Sequence, residues 1–332
     1  MVYSTAAMIP VSLAAVAFIA GVILLYKGSD ILVDGTTHVA AHLGVSSLII
    51  SVIVVAFGTS APEFAISVGA AFQQFAGLVP EGADISIGNV IGSCIANLLL
   101  VIGLSAVIRP IRIQKGIIRR ELPIVIGATG LFLSFALINL LDAYHFIGGL
   151  FFSVFFVVFV WYFIRCAKKE RIATVEFDKD KTTKNVILII LGVAGVVLGA
   201  WFLIESAISI ASFFHIPTFV ISLSMVAVGT SLPELVVSAM ASYKNKSDIA
   251  VGNVLGSNVF NIFLILGVSA LFIPLNAVGS IDHLLILLAV TLLMVPVLRS
   301  NHEISRFEGV FLLILYAVYM WYTFLGHSLF GI

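Results

Sequence analysis

The stretch VAVGTSLPEL, Val226–Leu235, lies inside an apolar run long enough to cross a bilayer, yet it sets a proline beside a glutamate. Nearly the same string, VAFGTSAPEF, stands at Val55–Phe64. Gly58, Thr59, Ser60, Pro62 and Glu63 recur as Gly229, Thr230, Ser231, Pro233 and Glu234, each 171 positions on. Downstream, GNVIGS at Gly88–Ser93 recurs as GNVLGS at Gly252–Ser257, and Asn97 recurs as Asn261, now 164 positions on. Only the loop between the two strings has changed length, so the chain is an internal duplication.

The rest of the sequence sets the solvent in which these strings must work. Of 332 residues 61% are hydrophobic and 10% charged, where a soluble domain carries roughly 25% charged residues. This is the composition of an all-α membrane protein. The net charge of zero says nothing about nucleic acid in a membrane protein, where the placing of the charges matters instead, and no nucleic-acid partner is expected. The two cysteines, Cys94 and Cys166, form no disulfide framework or metal spacing. No basic leader precedes the apolar run from Ala6 to Tyr26, so it reads as an uncleaved first helix rather than a signal peptide.

A spanning helix needs about 20 mostly apolar residues. Ten segments qualify, at roughly 8–27, 46–74, 86–108, 121–140, 146–165, 185–206, 218–243, 249–273, 282–298 and 307–326. With the N-terminus outside, the inside loops then collect all 17 Lys and Arg residues, as the positive-inside rule requires. An error in the helix count would scramble this alternation. The expected protein is multi-pass in the cell membrane, with both termini outside and a basic, cytoplasmic central loop. That loop, 168–184, divides a first five-helix repeat, 1–167, from a second, 185–332. Five is odd, so the second repeat runs inverted. Inverted repeats with interrupted helices point to a secondary transporter whose site lies at the repeat interface.

The repeated residues suit such a site. Pro62 has no N–H for the carbonyl of Gly58, and its ring pushes that carbonyl aside. The second helix is therefore expected to be discontinuous near 58–62, and the seventh near 229–233. Carbonyls freed in hydrocarbon cost several kcal/mol each unless they line a cavity. Thr59, Ser60, Thr230 and Ser231 add hydroxyls, and Glu63 and Glu234 add charge. These are hard oxygen donors, suited to Ca²⁺ or Na⁺ and unsuited to soft metals. The breaks fall near midplane and are expected to bring Glu63 and Glu234 face to face. Ser93 and Asn97 share one helical face, as do Ser257 and Asn261. The Gly88/Gly92 and Gly252/Gly256 pairs let backbones approach closely.

Other features have plainer readings. Asp34 and Glu205 share the 171 offset and read as solvated caps or gate-edge residues. Glu170, Glu176, Asp178 and Asp180 lack the glycine and terminal glutamate of a calcium loop and read as a solvated linker. Cys94 stands opposite Asn258 in the repeat and reads as a tolerated small residue. An intramembrane metal-dependent hydrolase would need HExxH, GxSxG or a His/Asp cluster, and none is present, so the chain is not an enzyme. A cation channel shares the ligand chemistry but has less need of paired occluding breaks.

GTSAPEF with GNVIGSCIANLLL, and GTSLPEL with GNVLGSNVFNIFL, resemble the two alpha-repeats of the sodium/calcium exchanger family, within the cation/Ca²⁺ exchanger superfamily. The resemblance covers the whole chain and is nearest the prokaryotic type without a regulatory domain. It implies Na⁺/Ca²⁺ antiport by alternating access, the first and sixth helices sliding across the others, with no cofactor beyond the transported ions. It implies that one Ca²⁺ is held by the Glu63 and Glu234 carboxylates with the Thr59 and Thr230 carbonyls. Flanking Na⁺ sites would use Ala56, Thr59, Ser60 and Ser257 on one side and Ala227, Thr230, Ser231 and Ser93 on the other. Asn97 and Asn261 would complete the central ring. Some members carry an acid where Asn261 stands, and the amide leaves any middle site less charged. Ca²⁺/H⁺ exchange on the same scaffold is the alternative. The paired Thr/Ser hydroxyls favour Na⁺, and a monomer in the lipid bilayer would suffice.

Overall fold

The computed structural model describes residues 11–113, 117–170, 179–213, 229–299 and 302–330. Helices account for nearly all of them. They are α1 (Val11–Leu43), the bent pair α2 (Ser47–Thr59) and α3 (Ala61–Phe75), α4 (Gly82–Ile108), α5 (Ile117–Leu137) and α6 (His145–Glu170). Then follow α7 (Lys179–Phe213), α8 (Leu232–Tyr243), α9 (Ser247–Phe272), α10 (Ile281–Arg299) and α11 (Arg306–Phe330). Among the described residues seven helices are long and apolar enough to cross a bilayer, eight with α2–α3 counted as one span. The other two expected spans fall on α11 and on 218–243, of which 218–228 lie outside the described residues.

Burial sorts the helices by role. α4 and α9 form the centre, with Ile95, Leu98, Val254 and Ile262 excluded from the surface. By contrast, α6 turns Phe146, Leu150, Val154 and Trp161 outward, and α1 turns Leu13, Val16 and Ile19 outward. Apolar exposure on that scale belongs to a lipid-facing surface. Equivalent contacts recur at repeat-related positions. A Cβ on Gly103 of α4 would lie 3.0 Å from the Gly309 carbonyl of α11, and one on Gly149 of α6 would lie 2.7 Å from the Gly267 carbonyl of α9.

Two expected spans prove too short. The segment 8–27 belongs to a helix that runs on to Leu43, and 185–206 to one running from Lys179 to Phe213. Lys27, Asp30 and Asp34 end the apolar run, but none of them breaks a helix. Asp34, half exposed, has a basic partner as well as solvent, and Asp30 shares it. Lys244, just past α8, places its ammonium 2.6 Å from Asp30 Oδ1 and 2.8 Å from Asp34 Oδ1. Burial works against this ammonium, but its hydrogen bonds to the two aspartates more than offset it and hold its pKa above the ordinary lysine value. Both ends of the expected 168–184 linker are likewise helical. Its residues 171–178, with Glu176 and Asp178, lie outside the described residues. A two-residue β-pair is the other departure: Ile111–Arg112 runs antiparallel to Glu303–Ile304 and ties the loop after α4 to the loop after α10.

α1 and α7 lie against each other along a seam of glycines. A Cβ on Gly28 would stand 2.7 Å from the Val196 backbone nitrogen, and one on Gly192 would stand 2.8 Å from that of Leu32. Both obstacles are backbone, so neither can rotate away. Gly28→Ala is expected to force the helices apart and cost about 1–3 kcal/mol, read as a lower melting temperature of the detergent-solubilised protein. An unchanged melting temperature would show the seam to be looser than its geometry.

Candidate cation site

The break in the second span is a local consequence of sequence. α2 ends at Thr59, Ser60 leaves helical geometry at φ −81° and ψ 8°, and α3 starts at Ala61 with Pro62 in its first turn. Proline suits that turn because its missing N–H has no helical partner there. The axes of α2 and α3 differ by 50°. Ser231 repeats the same backbone at φ −86° and ψ 6°, with Pro233 in the first turn of α8. Each break places a glutamate, Glu63 or Glu234, in the first turn of a new helix, where the positive end of the helix dipole favours a carboxylate.

The two halves are then stitched together reciprocally. Ser60 Oγ donates to Glu234 Oε1 at 2.8 Å, and Ser231 Oγ donates to Glu63 Oε1 at 3.5 Å. Both serines occupy helix N-cap positions, yet neither caps its own helix. A forgone cap costs about 1 kcal/mol, and here the hydroxyl goes to the opposite half's acid. Ser257 Oγ also donates to Glu234 Oε1, at 3.3 Å, and Ser93 lies 3.5 Å from the Thr230 hydroxyl. Glu63 is 1% exposed and Glu234 not at all. Each keeps a second carboxylate oxygen, Oε2, with no hydrogen-bond partner, as do Asn97 Oδ1 and both amide atoms of Asn261. Orphaned buried polar atoms are costly, and a cluster of carboxylate and carbonyl oxygens is what a hard cation would satisfy. Among the described residues no three His, Cys, Asp or Glu side chains gather as a transition-metal centre would need.

The structure thus brings together Thr59, Ser60, Glu63, Ser93, Thr230, Ser231, Glu234 and Ser257, all of them buried, while Asn97 and Asn261 are buried one helical turn past Ser93 and Ser257. Ala56 is buried in α2, one helical turn before Ser60, whose N–H bonds its carbonyl. Ala227 lies outside the described residues. Of the two glycine pairs, Gly252 and Gly256 pack on α2: a Cβ on Gly256 would lie 2.5 Å from the Val52 carbonyl oxygen. The positions related to that surface by the 171 offset fall within 218–228, outside the described residues, so Gly88 and Gly92 show no such partner.

One further pair escapes the sequence reading. Asn89 Nδ2 donates to the Glu63 carbonyl at 3.3 Å and to Ser67 Oγ at 2.9 Å, while its Oδ1 accepts from Thr230 Oγ1 at 3.3 Å. Asn253 does the same in mirror fashion, donating to the Glu234 carbonyl at 3.4 Å and Ser238 Oγ at 3.1 Å, and accepting from Thr59 Oγ1 at 3.0 Å. Each asparagine therefore locks the glutamate turn of its own half to the threonine of the other. The signal for them was present, since both stand in the repeated GNV string. The backbone adds another feature: Asn97 and Asn261 each begin a π-helical turn, Asn97–Val101 and Asn261–Ile265, and Ser51–Val55 forms a third. Such turns widen a helix locally and concentrate at functional sites.

Comparison with known proteins identifies the family. The chain matches the sodium/calcium exchanger protein family over residues 13–165 and 184–325. It is 36% identical to an uncharacterised membrane protein of Methanocaldococcus jannaschii, over 91% of this chain and 95% of that one. It is 33% identical to the sodium/calcium exchanger MaX1 of Methanosarcina acetivorans, over 90% of this chain and 95% of that one. Its fold is similar to a solved structure of the sodium-calcium exchanger NCX_Mj, with a TM-score of 0.79 and 35% identity over 93% of this chain and 98% of the other. A multi-pass helical membrane protein with this motif pair, this fold and these relatives belongs to the sodium/calcium exchanger family.

Proposed function

We propose that this chain exchanges Na⁺ for Ca²⁺ across the membrane by alternating access, both ions competing for the Glu63–Glu234 site. One Ca²⁺ sits between the two carboxylates and takes the Thr59 and Thr230 carbonyls. Na⁺ takes Ala56, Thr59, Ser60 and Ser257 on one side, and Ala227, Thr230, Ser231 and Ser93 on the other. Asn97 and Asn261 face the centre. The observation that supports this most directly is the reciprocal bonding: each glutamate accepts a hydroxyl from the other half and retains a buried oxygen without a donor.

Electrostatics explain the competition. An ionised carboxylate at the bilayer centre costs at least about 2.5 kcal/mol, and two facing one another repel. One Ca²⁺ neutralises the pair, and so do two Na⁺, while a third Na⁺ leaves the site positive. A 3:1 exchange then moves one net charge, worth about 2.3 kcal/mol per 100 mV. The serine and threonine hydroxyls supply the additional neutral oxygens that a small monovalent ion requires. The two halves, 1–167 and 185–332, act as inverted units joined by a cytoplasmic basic segment, with both termini outside. α1 and α7, paired along their glycine seam, slide as one body across the rest.

The test is Ca²⁺ uptake into proteoliposomes loaded with Na⁺. Uptake is expected to follow the Na⁺ gradient and to stop when a Na⁺ ionophore dissipates it. Uptake driven by a pH gradient and indifferent to Na⁺ would establish proton coupling instead.

A further inference from the structure

We propose that Asn258, which the ion-binding reading leaves unassigned, is the residue that turns the Asn97 amide so that its oxygen faces the two carboxylates. The inference rests on the cation-site reading above. Asn258 is 1% exposed, one position past Ser257 on α9, and its side-chain amide hydrogen-bonds Asn97 and the Cys94 carbonyl.

Its orientation follows from a chain of forced choices. A backbone carbonyl only accepts hydrogen bonds. Asn258 Nδ2 donates to the Cys94 carbonyl at 3.2 Å. The other end of that amide must then be the acceptor, and Asn258 Oδ1 takes a hydrogen bond from Asn97 Nδ2 at 3.0 Å. Asn97 therefore has its NH₂ committed, and its Oδ1 is the atom left without a hydrogen-bond partner in the buried cluster. The direction of an amide that would otherwise be free to flip is thus set by one carbonyl in the first half, relayed through a side chain of the second.

The repeat makes the point sharper. The position related to Asn258 by the 164 offset holds Cys94. A thiol is too weak a donor and acceptor to fix an amide: Cys94 Sγ makes a long contact, 3.9 Å, to the Asn258 carbonyl and stands beside the Asn261 side chain without a hydrogen bond that orients it. Asn261, the partner of Asn97, has no hydrogen bond at either amide atom. One of the two central amides is therefore committed to presenting oxygen, and the other is not.

Asn258→Cys tests this, because a cysteine already occupies the related buried position. The expected result is a rise of about tenfold in the Ca²⁺ concentration for half-maximal uptake, as for loss of one oxygen contact to a charged partner, with the maximal rate largely retained. In an Asn97→Ala background, Asn258→Cys is expected to add nothing, since the residue it positions is gone. Asn258→Ala repeats both arms should the cysteine variant not fold. An equal rise in both backgrounds, or none in the native one, would overturn the proposal. Absence of Ca²⁺ uptake by the unaltered protein would instead strike at the cation-site reading itself.

Discussion

Glu63→Gln and Glu234→Gln are each expected to lower Ca²⁺ transport at least a hundredfold while leaving the protein folded. Glutamine has nearly the volume of glutamate, and its carbonyl can still accept the hydrogen bonds from Ser60 and Ser257, or from Ser231, that the native Oε1 receives. What disappears is one of two buried negative charges. Removing one partner of a close, desolvated pair of opposite charges, here carboxylate and Ca²⁺, costs about 2–5 kcal/mol, and about 3 kcal/mol is already more than a hundredfold. The measurement is radiolabelled Ca²⁺ flux in proteoliposomes. The same substitutions relieve the repulsion between the two acids, so in ion-free buffer the variants should melt no lower than the unaltered protein, and Ca²⁺ should no longer raise their melting temperature. Flux within a few-fold of the unaltered protein would remove the carboxylates from the transport site.

The second large effect belongs to a residue with no side chain. Gly256→Ala is expected to abolish transport and destabilise the protein. The new methyl would lie 2.5 Å from the Val52 carbonyl oxygen and 2.8 Å from Ala56 Cβ. The nearest obstacle is backbone, so α2 and α9 must separate. α2 carries Thr59 to Asn253 and Ser60 to Glu234, and a displacement of even 1 Å in such a constellation can cost about a hundredfold in rate. Overpacking adds about 1–3 kcal/mol of instability. Gly279→Ala is the matched control, because a Cβ there meets nothing within 4 Å. Equal flux and melting temperature in the two variants would show that close approach of α9 to α2 is not what holds the site.

The candidate site was legible because two independent signals met there. A glutamate and a proline in an apolar run are each expensive, and both recur at a fixed offset with the same hydroxyl neighbours. Glu63, Glu234, Ser60 and Ser231 lie together in the structure for that reason. Asn89 and Asn253 were in plain view in the repeated GNV strings, but their task is to tie the glutamate carbonyl of one half to the threonine hydroxyl of the other, and no spacing in one dimension reveals that. Asn258 was hidden further, since its repeat partner is a cysteine. The lengths of α1 and α7 were misjudged because a hydropathy window measures solubility in lipid. Asp30 and Asp34 read as the end of a span, although a helix held by Lys244 continues through them.

Composition and the duplicated motif by themselves determined that the chain spans a membrane, that its second span breaks, and which acids it buries. These are properties of single segments against a uniform solvent, and a segment's own residues decide them. Only the tertiary structure decided which hydroxyl reaches which carboxylate, which amide oxygens remain unpaired, and where backbones come too close for a methyl. Those are contacts between segments far apart in sequence, 198 positions for Ser51 and the Ile249 carbonyl and 214 for Asp30 and Lys244, and their geometry exists only once the helices have packed.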